Sequence, residues 1–369
     1  MTMTSKERLL KTLRWEPTDR VPVSTYELVP FGADPWYESE PSYQDLLKLI
    51  AEKTDILYLW DKPAKNRCAW DEEYRRWSEG ESTFQYYILH TPKGDITRLT
   101  RRDRNLNTNW TVEPWFKSIE EIETYYSLPW EFGGVDMSGY QAAESRMGDR
   151  GIMLCDTADP VCVMADGLGF ETFMIHAWQD GKRLKKCMDI ALERLLVEMR
   201  YKLEQGAGPL WRIYGPEYVS PAYFPLDAFR EFVVDYDKKM IELIHEFGGF
   251  ARIHAHGRVT QLMDLFLEMG ADATDPLEPP PQGDVDLAEV KKKYGERLVL
   301  FGNLELSFLE YWEGDAIEQY VKQCMDAAAE GGGYVIMPTA SPINAPLWEK
   351  TAENYRRFID AALKYGRYE

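Results

Sequence analysis

Two histidines lie two residues apart in the segment 250–257, which reads Phe-Ala-Arg-Ile-His-Ala-His-Gly. Side chains alternate between the two faces of a β-strand, so His254 and His256 would share a face that Ala255 does not. Gly257 ends the pattern, which places both imidazoles at the carboxyl end of the predicted strand. Two neutral imidazoles at this spacing can bind one metal ion. The alternative is a pair of structural histidines that hydrogen-bond to neighbouring carboxylates.

A metal site needs a further ligand, and Glu217 is the best candidate. It lies in Tyr-Gly-Pro-Glu-Tyr, just after the strand that we predict before the histidine strand. A set of His, His and Glu leaves one coordination position open for a substrate, as in catalytic zinc sites. We therefore expect zinc or another divalent metal at His254, His256 and Glu217. The alternative for Glu217 is an ion pair with Arg212 or Arg252.

Other polar residues also lie near the ends of predicted strands, where barrel enzymes place their catalytic groups. An acidic side chain there could act as a general acid or base, and an inward arginine could bind an anionic substrate. The candidates for catalysis are Asp275 and Tyr214, and those for substrate binding are Arg212, Arg252, Asn303 and Asp156. Single aspartates before a helix are commonly N-caps, so the expected convergence of these residues on one face is the informative feature.

The elements that would position these residues alternate between short apolar strands and longer amphipathic helices. The predicted strands cover 20–24, 54–60, 151–155, 209–214, 250–254, 271–275, 298–302 and 334–337. Predicted helices include 226–247, 259–269, 287–294 and 316–330. This alternation is typical of a parallel sheet, and about eight units predict a closed (β/α)₈ TIM barrel of the α/β class. We expect one domain over residues 1–369.

The segment 66–112 departs from that pattern. Polar and aromatic residues alternate around Trp77 and Tyr86, and a Pro-Lys-Gly-Asp turn follows at 92–95. This predicts an insertion near the N-terminus that is rich in β-hairpins. Its aromatic side chains could form a lid over the barrel or the interface of a homodimer.

Composition excludes several classes of partner. The net charge of -19 disfavours binding to nucleic acid or to an anionic membrane surface. The sequence has no apolar run of membrane-spanning length and no secretory signal at its start. Five cysteines without C-x-x-C spacing indicate a reducing, cytoplasmic compartment. A phosphate-binding P-loop and a G-x-S-x-G elbow are absent from the sequence.

The chain resembles the uroporphyrinogen decarboxylase superfamily along nearly its whole length. The resemblance begins at Lys-Glu-Arg-Leu-Leu-Lys-Thr-Leu-Arg from residue 6 and is densest between residues 220 and 303. It includes Ile-His-Ala-His-Gly at 253–257 and ends at Asn-Tyr-Arg-Arg-Phe-Ile from residue 354. The resemblance implies a (β/α)₈ barrel, and it makes Asp55 a further catalytic candidate because Thr-Asp-Ile-Leu is similar to the aspartate segment of the family.

Two branches of the superfamily imply different activities. True decarboxylases bind the carboxylates of a porphyrinogen through an N-terminal Arg-Gln-Ala-Gly-Arg segment, whereas this chain has Val-Ser-Thr-Tyr-Glu-Leu-Val-Pro after Pro22. Corrinoid-linked methyltransferases bind zinc through His-x-Cys and a later Cys. His254 matches the first of those ligands, His256 replaces the cysteine, and the region of Ala340 offers no thiol. His, His and Glu would make a harder site than one with two thiolates.

Three functions remain open at this point. The first is a metal-dependent methyltransferase or demethylase that acts on a small methylated ether or amine, with a corrinoid on a partner protein as the resemblance implies. The second is a cofactor-independent decarboxylase of uroporphyrinogen or another cyclic carboxylate, favoured if Arg212 and Arg252 lie in an open pocket. The third is a non-catalytic ligand-binding barrel, favoured if both histidines are buried and fully hydrogen-bonded with no cavity beside them.

Overall fold

The computed structural model describes residues 3–31, 36–68, 70–221 and 223–368. Its strands, in chain order, are β1 (Ile56–Trp60), β2 (Arg67–Cys68), β3 (Asp71–Glu79), β4 (Ser82–Thr91), β5 (Gly94–Asp103), β6 (Trp110–Glu113), β7 (Trp130–Glu131), β8 (Gly151–Ala158), β9 (Leu210–Tyr214), β10 (Phe250–His254), β11 (Ala273–Asp275), β12 (Val299–Leu304) and β13 (Tyr334–Pro338).

The helices surround the strands and mostly alternate with those of the main sheet. They are α1 (Ser5–Leu13), α2 (Gln44–Lys53), α3 (Ile119–Tyr126), α4 (Ser138–Met147), α5 (Pro160–Leu168), α6 (Phe170–Gln179), α7 (Gly181–Glu204), α8 (Leu226–Phe229), α9 (Asp235–Glu246), α10 (Met263–Met269), α11 (Leu287–Tyr294), α12 (Leu306–Tyr311), α13 (Gly314–Ala328) and α14 (Glu349–Tyr365). A π-helix, Arg230–Val234, joins α8 to α9, and short 3₁₀ turns include Pro216–Val219 after β9.

Seven strands form one parallel sheet in the order β1-β8-β9-β10-β11-β12-β13. The segment 20–24 lies between the two outer strands of this sheet. The amide of Ser24 donates to the carbonyl of Ile336 in β13, and the amide of Asp55, just before β1, donates to the carbonyl of Val23. The predicted α/β TIM barrel is therefore confirmed, with the first predicted strand reduced to a bridge between Val23 and Ile336.

Alternation along the strands separates an outer core from an inner one. Trp211 and Ile213 of β9 and Ile253 of β10 pack in the larger cluster with the surrounding helices. Leu210 of β9 belongs to a smaller cluster that fills the barrel interior and includes Leu57, Ile152, Phe301 and Val335. Leu9 and Leu13 of α1 join that inner cluster, so α1 covers the end of the barrel at which the strands begin. The next inward positions along the strands lie nearer the opposite end, where they can reach a substrate.

The predicted hairpin insertion is also present. Strands β3, β4, β5 and β6 form a four-stranded antiparallel sheet, and β2 pairs with β7 beside it. The two central strands, β4 and β5, are partly buried and contain the buried residues Ile88 and Ile96, whereas β3 and β6 are largely exposed. None of the helices in the described ranges is long and apolar enough to cross a bilayer.

Candidate active site

His254 and His256 lie side by side at the carboxyl end of the barrel. Their ring centroids are 4.7 Å apart and the ring planes are nearly perpendicular. The Nδ1 atom of His254 lies 2.8 Å from Oδ2 of Asp275, and Nδ1 of His256 lies 2.8 Å from Oε1 of Glu278. When Nδ1 donates to a carboxylate, the Nε2 atom is the one that remains for a substrate or a ligand. Carboxylates thus orient both imidazoles, and Nε2 of each ring is the atom left to contact a substrate or a ligand.

Glu278 controls the charge of His256. Burial lowers the pKa of His256, but the hydrogen bond and charge of Glu278 outweigh it, so the pKa of His256 is raised. Burial raises the pKa of Glu278, and the bond to His256 again outweighs it, so the pKa of Glu278 is lowered. The second oxygen of Glu278 accepts from the amide of Gly257 at 2.6 Å, which fixes the carboxylate in place. His256 therefore keeps its proton to a higher pH than a free imidazole does.

Both candidate arginines are buried and paired. Arg252 is 1% exposed, its Nε lies 2.9 Å from Oδ1 of Asp275, and its guanidinium lies over the ring of Phe301. Arg212 binds both oxygens of Asp156, at 2.7 and 2.8 Å. Each guanidinium is neutralised by a carboxylate, as buried charges require. Neither arginine is free to bind an anionic substrate in an open pocket.

Tyr26 lies between Arg212 and His254. Its hydroxyl lies 3.0 Å from Nη1 of Arg212 and 3.5 Å from Nε2 of His254. Glu27, the next residue, forms an ion pair with Arg212 at 2.8 Å. Burial raises the pKa of Tyr26 far above its ordinary value, so the phenol stays protonated. Sequence reasoning missed Tyr26 and Glu27 because they lie in an N-terminal loop without any periodic pattern.

The residues do not complete the predicted metal site. Within the described ranges, no three side chains of His, Cys, Asp or Glu are arranged to hold a metal ion. His254 and His256 supply two nitrogen donors with the carboxylate partners that metal-bound histidines usually have. Glu217 does not join them as a third ligand. The described residues therefore do not fit a three-ligand zinc centre.

Glu217 and Tyr214 line a cavity of about 560 Å³ between the barrel and the insertion sheet. Glu217 lies on the 3₁₀ turn after β9, and its Oε2 atom is buried without a hydrogen-bond partner among the described residues. Tyr214 is the register partner of His254 on the neighbouring strand. Burial raises the pKa of Tyr214 well beyond its ordinary value, so its phenol is protonated. The cavity therefore lies one strand away from the imidazole pair.

A second cavity, of about 640 Å³, lies beyond the ends of β1 and β13. Tyr26, Trp60 and Ser341 are among its lining residues. Tyr26 in the wall of this second cavity contacts His254, and Tyr214 in the wall of the first cavity is the register partner of His254 on β9. Each cavity therefore approaches His254 through one tyrosine.

The assignment of Asp55 to catalysis is wrong. Asp55 precedes β1 and lies at the end of the barrel opposite the histidines. It is 0% exposed and forms ion pairs with Arg8 at 2.7 Å and with Arg20 at 2.6 Å. Its Oδ2 also accepts from the amide of Val23 at 2.9 Å. A carboxylate paired in this way has no contact with the barrel mouth. It instead holds the segment 20–24, here called the closing segment, against β1.

The assignment of Asn303 to substrate binding is also corrected. Its amide oxygen accepts from Sγ of Cys324 in α13, at 3.4 Å, so the side chain points to the outer helices. Strict alternation along β12 would have turned Asn303 inward. The backbone at Gly302, with φ of 149°, interrupts the alternation. Only glycine fits there, because an added Cβ would lie 2.3 Å from the carbonyl oxygen of Pro276. The remaining candidates, Asp156, Arg212, Tyr214, Arg252 and Asp275, lie around the interior network described above.

Comparison with known families agrees with this architecture. The family model described as uroporphyrinogen decarboxylase (URO-D) matches residues 158–365, more than half of the chain. The chain belongs to the uroporphyrinogen decarboxylase family. In this family member the matched region contains β9 to β13 and both histidines, while the insertion sheet lies before it.

Three solved structures were compared with this member of the uroporphyrinogen decarboxylase family. A methyltransferase from Methanosarcina mazei is 19% identical with a TM-score of 0.63, and the alignment covers 98% of this chain and 99% of that one. A Bacillus subtilis mannanase is 9% identical with a TM-score of 0.44, over 95% and 93% of the two chains. A D-psicose 3-epimerase from Clostridium cellulolyticum is 10% identical with a TM-score of 0.33, over 59% and 88%. A search of curated proteins finds no significant match.

Proposed function

We propose that this member of the uroporphyrinogen decarboxylase family transfers a methyl group from a small methylated ether or amine. The observation that carries the proposal is the carboxylate-oriented pair His254 and His256, which two cavities approach through Tyr214 and Tyr26. A transfer reaction needs one space for the donor and another for the acceptor. The whole-length likeness in fold to a methyltransferase is consistent with this proposal, although that likeness concerns the fold alone.

The charges at the mouth favour methyl transfer over decarboxylation. A substrate with carboxylates needs cationic partners, and the strongest sites for it would be bidentate contacts with arginine. Arg212 and Arg252 are buried and already paired with Asp156 and Asp275. A carboxylate substrate would have to displace those aspartates. An uncharged or cationic donor needs no such exchange.

His256 has a defined chemical role in the proposed reaction. As the bond between the methyl carbon and the donor heteroatom breaks, the electron pair stays on the oxygen or nitrogen. A proton on Nε2 of His256 neutralises that pair, while Glu278 holds Nδ1 and compensates the imidazolium charge. Positioned proton donors of this kind contribute about 10²- to 10⁴-fold to a rate. Asp275 orients His254 in the same way beside it.

The methyl acceptor is a separate reactant in this proposal. The resemblance to corrinoid-linked methyltransferases suggests a reduced corrinoid on a partner protein, which would supply the nucleophile for the methyl carbon. The space beyond β1 and β13 is the available place for an acceptor, since Tyr26 connects it to His254. No step of the proposed reaction passes through a metal.

The test is a methyl-transfer assay with chemically reduced cobalamin as the acceptor. Donors are one methyl ether and one methylated amine, and the formation of methylcobalamin is followed by its absorption spectrum. Wild-type protein should catalyse transfer, and His256→Asn should lower the rate by about 10²-fold or more. The matched control is His245→Asn, because His245 is a half-exposed histidine on α9, at the opposite end of the barrel.

Three outcomes would contradict the proposal. The first is that the wild type transfers a methyl group from neither the ether nor the amine. The second is that the His256→Asn variant transfers methyl groups at the same rate as the His245→Asn control. The third is release of carbon dioxide from uroporphyrinogen by the wild type, which would instead support the decarboxylase alternative. Zinc stays a prediction from the sequence, and metal analysis of the wild type and of His256→Ala tests it independently.

A further inference from the structure

Aromatic rings form a large part of the wall of the cavity beside β9. Seven of the described residues around it are aromatic, and they come from both of its sides. Trp70 and Trp115 lie on the insertion side, while Tyr214 and Tyr218 lie on the barrel side. The faces of aromatic rings carry partial negative charge and attract cations, most strongly for tryptophan. A cavity enclosed on two sides by such rings is therefore suited to an organic cation.

The charged residues around the same cavity have an excess of negative charge. Its lining includes the carboxylates of Glu72, Asp166 and Glu217 and one guanidinium, that of Arg98. Arg98 lies 3.8 Å from Asp166, so those two charges offset each other. Glu72 and Glu217 are two further carboxylates among the lining residues that the structure describes, and the charge of Glu217 also acts on His256. An anionic ligand would be repelled from this space.

Glu217 shows most directly what the cavity lacks. Its Oε2 atom is buried, yet no described residue donates a hydrogen bond to it. A buried carboxylate oxygen without a partner is costly, and a positive ligand beside the Glu217 carboxylate would lower that cost through its charge. The neighbouring rings of Tyr214 and Tyr218 would then cover the apolar surface of the same ligand.

We infer that this cavity binds a small N-methylated ammonium cation, with Glu217 as its counter-charge and Trp70 and Trp115 against its methyl groups. The inference rests on the proposed function and selects the methylated amine over the ether as the donor. The methyl groups of such a cation spread its positive charge over an apolar surface. Aromatic rings match that surface better than a hydrogen-bonding site would.

The chemistry of such a donor suits the imidazole pair. When the C–N bond breaks, its electron pair stays on nitrogen and the methyl carbon bonds to the nucleophilic acceptor. The departing amine is neutral and takes up the proton that His256 donates. Tyr214 in the cavity wall is the register partner of His254, so the nitrogen and the imidazoles would lie at neighbouring strand ends.

A matched pair of ligands tests the inference through binding alone. Choline and 3,3-dimethylbutan-1-ol have the same shape, but the second carries an uncharged carbon in place of the ammonium nitrogen. Isothermal titration calorimetry on the full chain should detect saturable binding of choline. The neutral analogue should bind at least about tenfold more weakly, because it lacks the charge that the rings and Glu217 attract.

Variants locate the site of binding. Trp115→Leu should weaken the affinity for choline by about 5- to 30-fold, and Glu217→Gln by about tenfold. The control is Trp110→Leu, since Trp110 is 48% exposed on β6 and does not line the cavity. If Trp115→Leu does not fold, Trp70→Leu replaces it, and thermal melting confirms the fold of each variant.

The inference is overturned if choline does not bind, if the neutral analogue binds equally well, or if Trp110→Leu weakens binding as much as Trp115→Leu. Its failure can be distinguished from failure of the proposed function. Methyl transfer from an ether without choline binding would contradict only the inference. If choline binds and the variants change its affinity as expected, but no methyl group is transferred to cobalamin, only the proposed function is contradicted.

Discussion

Asp275 holds two side chains of the site at once. One carboxylate oxygen lies 2.9 Å from Nε of Arg252, and the other lies 2.8 Å from Nδ1 of His254. All three side chains are buried, so each depends on the others for its charge or hydrogen bond. Removing one member of such a group leaves a buried charge without compensation. Asp275 is thus both a positioning residue for His254 and a major contributor to stability.

We predict that Asp275→Asn lowers the free energy of unfolding by about 3–5 kcal/mol, because Arg252 loses its counter-charge. Urea unfolding followed by circular dichroism measures the effect. The control is Asp45→Asn, which removes an exposed partner of Lys48 and should change stability by less than about 0.5 kcal/mol. Equal stability of the two variants would contradict the assigned ion pair.

The same residue predicts how stability depends on pH. Burial raises the pKa of Asp275, but Arg252 and His254 outweigh it and hold the pKa well below the ordinary carboxyl value. A carboxyl with a lowered pKa in the folded state stabilises the protein above its unfolded pKa of about 3.9, and this stabilisation is lost as the pH falls further. The wild type should therefore lose more stability than Asp275→Asn between pH 5 and pH 3, as urea midpoints would show. Parallel pH curves would contradict it.

At this scale, alternation in the sequence predicted the inward direction of Arg252 and His254 correctly. Alternation failed at Asn303 because Gly302 interrupts it. When a glycine lies inside a strand, the sequence does not reveal the direction of the side chain that follows. Alternation also gave no signal for Tyr26, whose contact with His254 joins residues far apart in the chain. Glu278 was recognisable only as one of several polar residues after a predicted strand.

At the scale of elements, two buried carboxyls, one at the start of α5 and one in α9, interact electrostatically. Asp159 caps α5, accepting from the amide of Cys162 at 2.5 Å, and Asp237 lies on α9. Both are 0% exposed, and neither oxygen of Asp237 has a partner among the described residues. Burial raises the pKa of both carboxyls, and the charge of Asp237 raises that of Asp159 further. The pair therefore holds protons that free carboxyls would release.

We predict that Asp237→Asn stabilises the protein at pH 8 by about 1–3 kcal/mol, because the carboxylate, ionised in the unfolded chain, must take up a proton to be buried and a neutral amide need not. A raised pKa makes the stabilising contribution complete below the unfolded value of about 3.9 and lost as the pH rises above it. The gain should therefore shrink toward pH 4, measured by urea unfolding at both pH values. Asp235→Asn, exposed on the same helix, is the control. A gain that is equal at both pH values would count against this account.

The turn between β9 and α8 depends on Gly215. Its φ is 122°, and an added Cβ would lie 2.3 Å from Cβ of Cys162 and 2.4 Å from Oδ1 of Asp159. We predict that Gly215→Ala destabilises the protein by about 2–5 kcal/mol and displaces the turn that carries Glu217. Gly139→Ala is the control, since a Cβ there meets nothing within 4 Å and lies in α4. Thermal melting compares the two variants, and similar melting temperatures would contradict the prediction.

Most elements could be predicted from periodicity. The alternation of apolar strands with helices gave the parallel sheet, and the period of two in 66–112 gave the hairpin insertion. The predicted strand at 20–24 is reduced to a bridge, partly because Pro22 has no amide proton to donate to a ladder. Where the insertion sheet packs against the barrel, and which aromatic rings line the space between them, depends on tertiary packing that no local pattern encodes.

At the scale of the whole molecule, the barrel is held closed at one end and open at the other. Arg8 of α1, Arg20 of the closing segment and Asp55 before β1 form one buried group at the closed end. The exposed ring of Trp77 lies on the insertion sheet, and the homodimer expected from such side chains stays a prediction. The ion pairs around Asp55 therefore lie at one end of the barrel axis, and the proposed site at His254 and His256 lies at the other.

That separation predicts the behaviour of Asp55→Asn. The variant should lose about 1–3 kcal/mol of stability, because Arg20 loses its ion pair while Arg8 keeps its ion pair with Asp19. The folded protein should nevertheless bind choline and transfer methyl groups as the wild type does, because Asp55 lies at the opposite end from the histidines. Urea unfolding gives the first quantity, and titration below the unfolding transition gives the second. A folded variant with impaired transfer would restore Asp55 as a catalytic residue.

The most direct test of the central claim is the turnover of Glu278→Gln. Glu278 touches His256 through Nδ1, and a glutamine amide in its place would donate to Nδ1 and move the proton of neutral His256 onto the other nitrogen. The proposed site predicts that methyl transfer slows by about 10- to 100-fold while the affinity for choline stays as in the wild type. An unchanged transfer rate in a folded Glu278→Gln variant would contradict the role of the imidazole pair.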